Sequence, residues 1–246
     1  MFGNLLTGIQ EGNTKALSRS ISLVVNEVAG YESLLHSIPS SDTPVVGITG
    51  PPGAGKSTLT DKLIGEFVLH GQKVAVLCVD PSSPFTQGAL LGDRIRMSEW
   101  YNHQNVFIRS LATRGSLGGL PAKAKNIINL VKAAPFDLIL IETVGVGQNE
   151  IEIASLADLT IVVLVPESGD DIQVMKAGLM EIGDIFVVNK SDRPGSDLFA
   201  NDIKAMLRES TPGNSGRKQV IKTIATTKTG IGELYSAINN YFGNSD

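Results

Sequence analysis

Lysine, serine and a row of glycines fall at G-x-x-x-x-G-K-S spacing in Gly50-Pro51-Pro52-Gly53-Ala54-Gly55-Lys56-Ser57, with Thr58 next. Glycines allow successive backbone N–H groups to turn inward around an anion. A lysine at this position adds a point charge at the β- and γ-phosphates, and a serine hydroxyl offers a hard oxygen to Mg²⁺. A chance glycine-rich turn is the bland alternative. The apolar run of residues 45–49 before the loop and the helix-forming run of residues 59–69 after it supply the strand, loop and helix that phosphate binding requires. This stretch predicts a bound nucleoside triphosphate.

Further acidic and amide residues fall at the ends of apolar runs. Asp80 ends one run before Pro81-Ser82-Ser83-Pro84, and Asp93 follows a glycine-containing segment. Both suit a Mg²⁺ ion that keeps several waters. Equally, Asp80 could be a turn residue, and Asp93 a solvated helix residue paired with Arg96. Glu142 ends Asp137-Leu138-Ile139-Leu140-Ile141-Glu142 and is followed by Thr143-Val144-Gly145. Acid, two residues, glycine is the spacing of an NTPase Asp-x-x-Gly, in which the acid anchors the metal shell and the glycine N–H meets the γ-phosphate. Glutamate is one methylene longer than aspartate, which suggests contact through a water or from outside the metal's first ligands. The residue after Gly145 is Val146, which cannot orient an attacking water as the glutamine of Ras does. Gln148 is near in sequence. Lys176, on a helical stretch after Pro166-Glu167-Ser168-Gly169, reads as either a catalytic cation or a surface lysine.

Asn189-Lys190-Ser191-Asp192 is the second strong signal, an N-K-x-D at the end of an apolar run. An aspartate carboxylate accepts from both N1–H and the 2-amino group of guanine, a donor pair that adenine lacks. Lys190 would lie along the base and Asn189 would brace the loop. Thr226, Thr227 and Lys228, after Ala225, form a looser match to a loop whose backbone meets the guanine oxygen. Arg109 and Arg114 could face phosphate, a partner or the protein itself. His36, His70 and His103 have no metal-ligand spacing, and Cys78, the single cysteine, reads as a buried strand residue.

These residues need positioning elements, and the apolar pattern supplies them. Strands are expected at 45–49, 73–79, 105–109, 137–142, 159–165, 184–189 and 220–225. Helices are expected near 56–70, 88–102, 119–133, 149–157, 170–182, 197–210 and 230–242, with Trp100 and Tyr101 as packing residues at the end of the second. Near-continuous Val/Ile/Leu strands alternating with helices imply an α/β fold with a mostly parallel sheet covered on both faces, and the phosphate loop makes it a P-loop NTPase fold. Such sheets bind ligands beyond the carboxyl ends of their strands. Residues 1–42 lack strand-like runs. Leu5, Ile9, Leu17, Ile21, Val24, Val25 and Val28 recur at spacings of three and four, so this part reads as a helical segment laid against a GTPase domain at 43–246.

Composition limits the partners. The 246 residues carry a net charge of −4, with 42% hydrophobic and 19% charged residues; the pI is about 5.4. That balance argues against nucleic acid as the main partner. No apolar run is long enough for a membrane span, no signal-peptide pattern opens the chain, and a single cysteine favours the cytoplasm.

Together these stretches resemble the GTPases that act as chaperones of adenosylcobalamin-dependent acyl-CoA mutases, typically methylmalonyl-CoA mutase. Some members of that family formerly went by the name of arginine/ornithine transport kinases. The resemblance rests on Ala16-Leu17-Ser18-Arg19-Ser20-Ile21-Ser22, the phosphate loop, Val79-Asp80-Pro81-Ser82-Ser83-Pro84-Phe85 and Gly92-Asp93-Arg94-Ile95-Arg96-Met97. It continues through Arg114-Gly115-Ser116-Leu117-Gly118-Gly119, Glu142-Thr143-Val144-Gly145-Val146-Gly147-Gln148-Asn149-Glu150 and Asn189-Lys190-Ser191-Asp192. It implies a helical segment ahead of a G domain of the class that includes nickel-insertion and signal-recognition GTPases. It further implies a Mg²⁺ shell of Ser57, Asp80, Asp93 and Glu142, and a switch at residues 166–178 bearing Lys176. The implied function is nucleotide-dependent gating of cofactor loading, release or protection in the mutase. Family members continue into a helical arm that forms a homodimer. This sequence ends at Asp246, just past the helix of 230–242, so the expectation is a monomer or a dimer made another way. Two other functions compete. A nickel-inserting metallochaperone would need Cys or His clusters. A P-loop kinase would need an acceptor pocket and no guanine preference.

Overall fold

The computed structural model describes residues 2–80, 97–112, 120–143, 155–169, 179–210 and 218–243. Its centre is a seven-stranded, wholly parallel sheet, as the strand composition predicts: β1 (Val45–Thr49), β2 (Val74–Asp80), β3 (Val106–Ala112), β4 (Leu138–Thr143), β5 (Leu159–Leu164), β6 (Ile185–Val188) and β7 (Gln219–Lys222). The spatial order is β3-β2-β4-β1-β5-β6-β7. The strand that opens the phosphate loop, β1, therefore lies centrally, with β4 on one side and β5 on the other. This is the P-loop NTPase architecture.

Alternation along the strands assigns the faces. Val46, Ile48, Val76 and Leu140 point to one side, where α4 (Lys56–Leu69) and α8 (Ile231–Gly243) contribute Leu59, Leu63, Phe67, Leu234 and Ile238. Val45, Ala75, Leu77 and Ile139 point to the other. There α5 (Leu120–Lys132) packs with three N-terminal helices: α1 (Phe2–Gln10), α2 (Thr14–Val25) and α3 (Tyr31–His36). Beyond β1 on that same side, α7 (Ser196–Ser210) buries Phe199, Ile203 and Leu207 against Val162, Leu164, Phe186 and Val188. The short α6 (Leu179–Ile182) adds Met180.

The N-terminal helices belong to this core. Gly12, at φ +80°, turns the chain after α1, and Asn13 caps α2 by accepting from the Lys15 and Ala16 N–H groups at 3.0 and 3.1 Å. Ile9, Leu17, Ile21, Val24 and Leu34 are buried. Arg109 of β3 donates to Ser22 Oγ at 3.0 Å, which gives that arginine a structural contact.

Several expected boundaries shift for local reasons. The end of the helix expected at 88–102 is a single 3₁₀ turn, Ser98–Trp100; residues 88–96 lie outside the described residues. Trp100 does pack: Nε1–H donates to Asp61 Oδ1 at 2.8 Å, and the ring lies over Gly65 of α4. Of residues 155–157, expected as helix, 155 and 156 form a turn and 157 is irregular, and the helix expected at 170–182 is described only as α6. β7 stops at Lys222 instead of 225, because Asn189 Oδ1 takes the Ala225 N–H and draws the chain out of the ladder into a 3₁₀ turn, Ala225–Thr227.

Candidate functional site

Three loops meet beyond the carboxyl ends of β1, β4, β6 and β7. The phosphate loop leaves β1 at Gly50, where φ is +136° and a Cβ would lie 2.1 Å from the Val163 carbonyl oxygen of β5. Only glycine fits there. Gly55 is left-handed (φ +89°) at the N-cap of α4, and a Cβ would lie 2.5 Å from Asn189 Nδ2. No side chain caps this helix, so the first-turn N–H groups and the positive end of the helix dipole face the loop. Lys56 and Ser57 open α4 and are both buried. Lys56 Nζ donates to the Gly50 carbonyl at 2.7 Å and to the Pro51 carbonyl at 3.0 Å, which places the ammonium inside the loop's curve.

Glu142 stands near the tip of β4, in register with Ile48 of β1 and Cys78 of β2. Its carboxylate is buried, and Oε1 accepts directly from Ser57 Oγ at 2.6 Å. The extra methylene relative to aspartate thus reaches Ser57 without an intervening water. Thr143 Oγ1 and Thr49 Oγ1, 3.2 Å apart, tie the neighbouring strand ends together. A serine hydroxyl and a carboxylate, buried side by side at the phosphate loop, are hard oxygen donors of the kind Mg²⁺ takes. Asp80 is the last residue of β2, the strand beside β4. Its side chain lies outside the described residues, as do Asp93, Gly145, Gln148 and Lys176.

The third loop follows β6. Asn189 is buried and spans the site. Its Nδ2 donates to the Ala54 carbonyl at 2.9 Å, while Oδ1 accepts from Thr223 Oγ1 at 3.0 Å and from the Ala225 N–H at 3.2 Å. This one amide joins the phosphate loop, the Asn189–Asp192 loop and the Ala225–Thr227 turn. Lys190, at φ +55°, donates from Nζ to the Gly53 carbonyl at 2.8 Å and makes a second link to the phosphate loop. These contacts bound a cleft of about 220 Å³, whose walls include Gly55, Thr58, Lys190, Asp192, Ala225 and Thr226. Thr227 closes its turn by donating to the Ile224 carbonyl at 3.2 Å, and Lys228 adopts a left-handed conformation just after it.

Gly55 and Thr58 therefore line one cleft with Asn189, Lys190 and Asp192, and Glu142 meets the same loop at Ser57. The sequence reading missed Thr223 and Arg193. Thr223 is a buried hydroxyl just past β7 with no motif around it, and only the strand order makes it Asn189's partner. Arg193 follows the motif directly, lines the same cleft and pairs with Glu167. The histidines stay apart: His70 stacks on Tyr235 at 4.3 Å, His103 meets Trp100 edge-on, and His36 Nδ1 contacts the Glu32 carbonyl. Among the described residues no group of His, Cys, Asp and Glu side chains could hold a metal on its own, and no helix is long and apolar enough to cross a membrane.

Comparison with known proteins agrees with this geometry. The family described as methylmalonyl Co-A mutase-associated GTPase MeaB matches residues 17–245. A putative GTPase of Pyrococcus horikoshii is 46% identical over 242 residues, covering 96% of this chain and 76% of the relative. The mouse protein named methylmalonic aciduria type A homolog, mitochondrial, is 33% identical, covering 96% of this chain and 62% of its own length. Among solved structures, a LAO/AO transport system kinase superposes with a TM-score of 0.75 at 26% identity, over 98% of this chain and 75% of that one. A match across nearly the whole chain, with the phosphate loop, Glu142 and the Asn189–Asp192 loop gathered at one end of the sheet, places the protein in the MeaB family of GTPases.

Proposed function

We propose that the protein is a guanine-nucleotide-gated chaperone for an adenosylcobalamin-dependent acyl-CoA mutase, using GTP hydrolysis to time the loading or protection of the mutase's cofactor. The observation that carries the nucleotide reading is the Asn189 amide, which holds the phosphate loop and the two loops of the base cleft in one rigid unit. Gly50 to Thr58 wrap the phosphates. Lys56 supplies positive charge at the β/γ bridge and Gly145 an N–H to the γ-phosphate. Asp192 accepts from the N1–H and 2-amino group of guanine, Lys190 flanks the base, and Thr226, Thr227 and Lys228 close over its oxygen. Ser57 and Glu142, with Asp80 and Asp93, are the residues that would hold Mg²⁺. Bound Mg²⁺ would neutralise charge on the β- and γ-phosphate oxygens. Lys176 and Gln148 are the residues proposed to sense the γ-phosphate or position the water, since Val146 can do neither.

The mutase assignment is supported by the family's description. Nucleotide-dependent ordering of loops beside the γ-phosphate is the physical route by which such a switch reports its state. The nickel-inserting alternative is disfavoured by the scattered histidines, and the kinase alternative by Asp192 at the cleft.

The test is GTP turnover by the purified protein, alone and with methylmalonyl-CoA mutase plus adenosylcobalamin. Stimulation by the mutase that disappears in Lys56→Ala supports the reading. GTP turnover indifferent to every cobalamin mutase would leave a GTPase whose partner is of another kind.

A further inference from the structure

Glu167 lies in the 3₁₀ turn Pro166–Gly169 that follows β5, between the phosphate strand and the base strand in the sheet order. Its Oε1 accepts from Arg193 Nη1. Arg193 is the residue directly after Asp192, and both line the same cleft. The guanidinium holds the Glu167 carboxyl below its usual range, with Lys190 adding to the effect. The Lys190 ammonium itself donates to the Gly53 carbonyl.

An arginine beside the base-reading carboxylate creates a conflict. A guanidinium fork satisfies both oxygens of a carboxylate at once. Those are the two oxygens that guanine's N1–H and 2-amino group would use. Sequence neighbours in this chain can form an ion pair: Lys62 Nζ lies 2.7 Å from Asp61 Oδ2. In this structure the Arg193 guanidinium is held by the carboxylate on the neighbouring turn, Glu167, while Asp192 and Arg193 line one cleft.

We infer that Glu167 is a positioning residue for base specificity: by holding the Arg193 guanidinium at the β5 side of the cleft, it keeps the Asp192 carboxylate available to the guanine edge. This rests on the reading of Asp192 as the residue that recognises the base. Glu167 touches neither base nor phosphate in this scheme and acts only through Arg193.

The experiment is calorimetric binding of GDP and of inosine diphosphate, which lacks the 2-amino group, to the full chain with Mg²⁺. Glu167→Gln should weaken GDP by up to about fivefold, the scale of one exposed ion pair, and weaken inosine diphosphate less. The GDP preference therefore narrows. Glu167→Gln/Arg193→Gln should bind GDP more tightly than Glu167→Gln, because no guanidinium is left to compete for Asp192. At about 1 M salt the Glu167→Gln defect should shrink, because the competing pair is exposed and screened. A double variant as weak as Glu167→Gln, or an unchanged Glu167→Gln, would each overturn the inference. Asp192→Asn reports on the underlying reading separately, because it should exchange a preference for GDP for one for xanthosine diphosphate. If that exchange occurs and Glu167→Gln has no effect, the inference falls and the base reading stands. If the exchange fails, both fall.

Discussion

A single buried amide carries more of the site's geometry than any charged residue. Asn189 has three hydrogen-bond partners, one in the phosphate loop and two in the stretch after β7, and truncation would leave the Ala54 carbonyl and the Ala225 N–H unpaired in a buried place. Asn189→Ala should therefore lower stability by about 3 kcal/mol, measured by denaturant unfolding, and weaken GDP and GTP alike. Glu142→Gln behaves differently. The amide oxygen can still accept from Ser57, so the melting temperature should change little. With the charge gone, the Mg²⁺ concentration for half-maximal GTP turnover should rise about tenfold or more. An unchanged Mg²⁺ requirement would remove Glu142 from the metal shell. That these residues gather at one end of the sheet was legible in the sequence, because their motifs each close an apolar strand run. Partners such as Thr223 and Arg193 were not. Thr223 reaches Asn189 only because β6 and β7 are neighbours, and no local pattern encodes that.

Element identities followed from apolar periodicity. Their ends were decided by single hydrogen bonds, as where Asn189 shortens β7 and Asp61 fixes Trp100 after a 3₁₀ turn. One element contact has a pH signature. Asp184, just before β6, accepts from the Thr160 N–H at 2.8 Å. Burial pushes its carboxyl above the ordinary value, outweighing the opposing effects of that hydrogen bond and of Lys218. A folded-state value above the unfolded one means the native form binds the proton more readily. Stability then falls as pH rises between the two values, and the charged form disfavours the fold at neutral pH. Asp184→Asn, which can still accept from Thr160, should be neutral to stabilising at pH 7. The advantage should vanish below the ordinary carboxylate range, as read from melting temperatures at pH 7 and pH 3. A clear loss at pH 7 would show that the Lys218 attraction outweighs burial.

At the scale of the whole molecule, the N-terminal helices and the sheet share one core. Five buried apolar side chains among the described residues of α1 to α3 represent on the order of 10 kcal/mol of gross apolar burial. That is similar to the entire net stability of an ordinary domain. A chain lacking residues 1–42 should accumulate as aggregate or melt far below the parent. Cooperative unfolding at the parent temperature would instead mark the helices as an independent layer. The amphipathic spacing made those helices legible; their depth of burial depends on α5 and on one face of the sheet, which only the fold brings to them.

The strand order has a metrical consequence. The phosphate loop hangs from β1 and the proposed base loop from β6, with only β5 between them, so in the proposed binding mode two inter-strand spacings, about 10 Å, separate the two grips. The sheet thus works as a fixed gauge for ligand length. A free base or a free pyrophosphate can occupy one grip at a time. A whole nucleotide engages both, and its second end binds at the high local concentration that the first end creates.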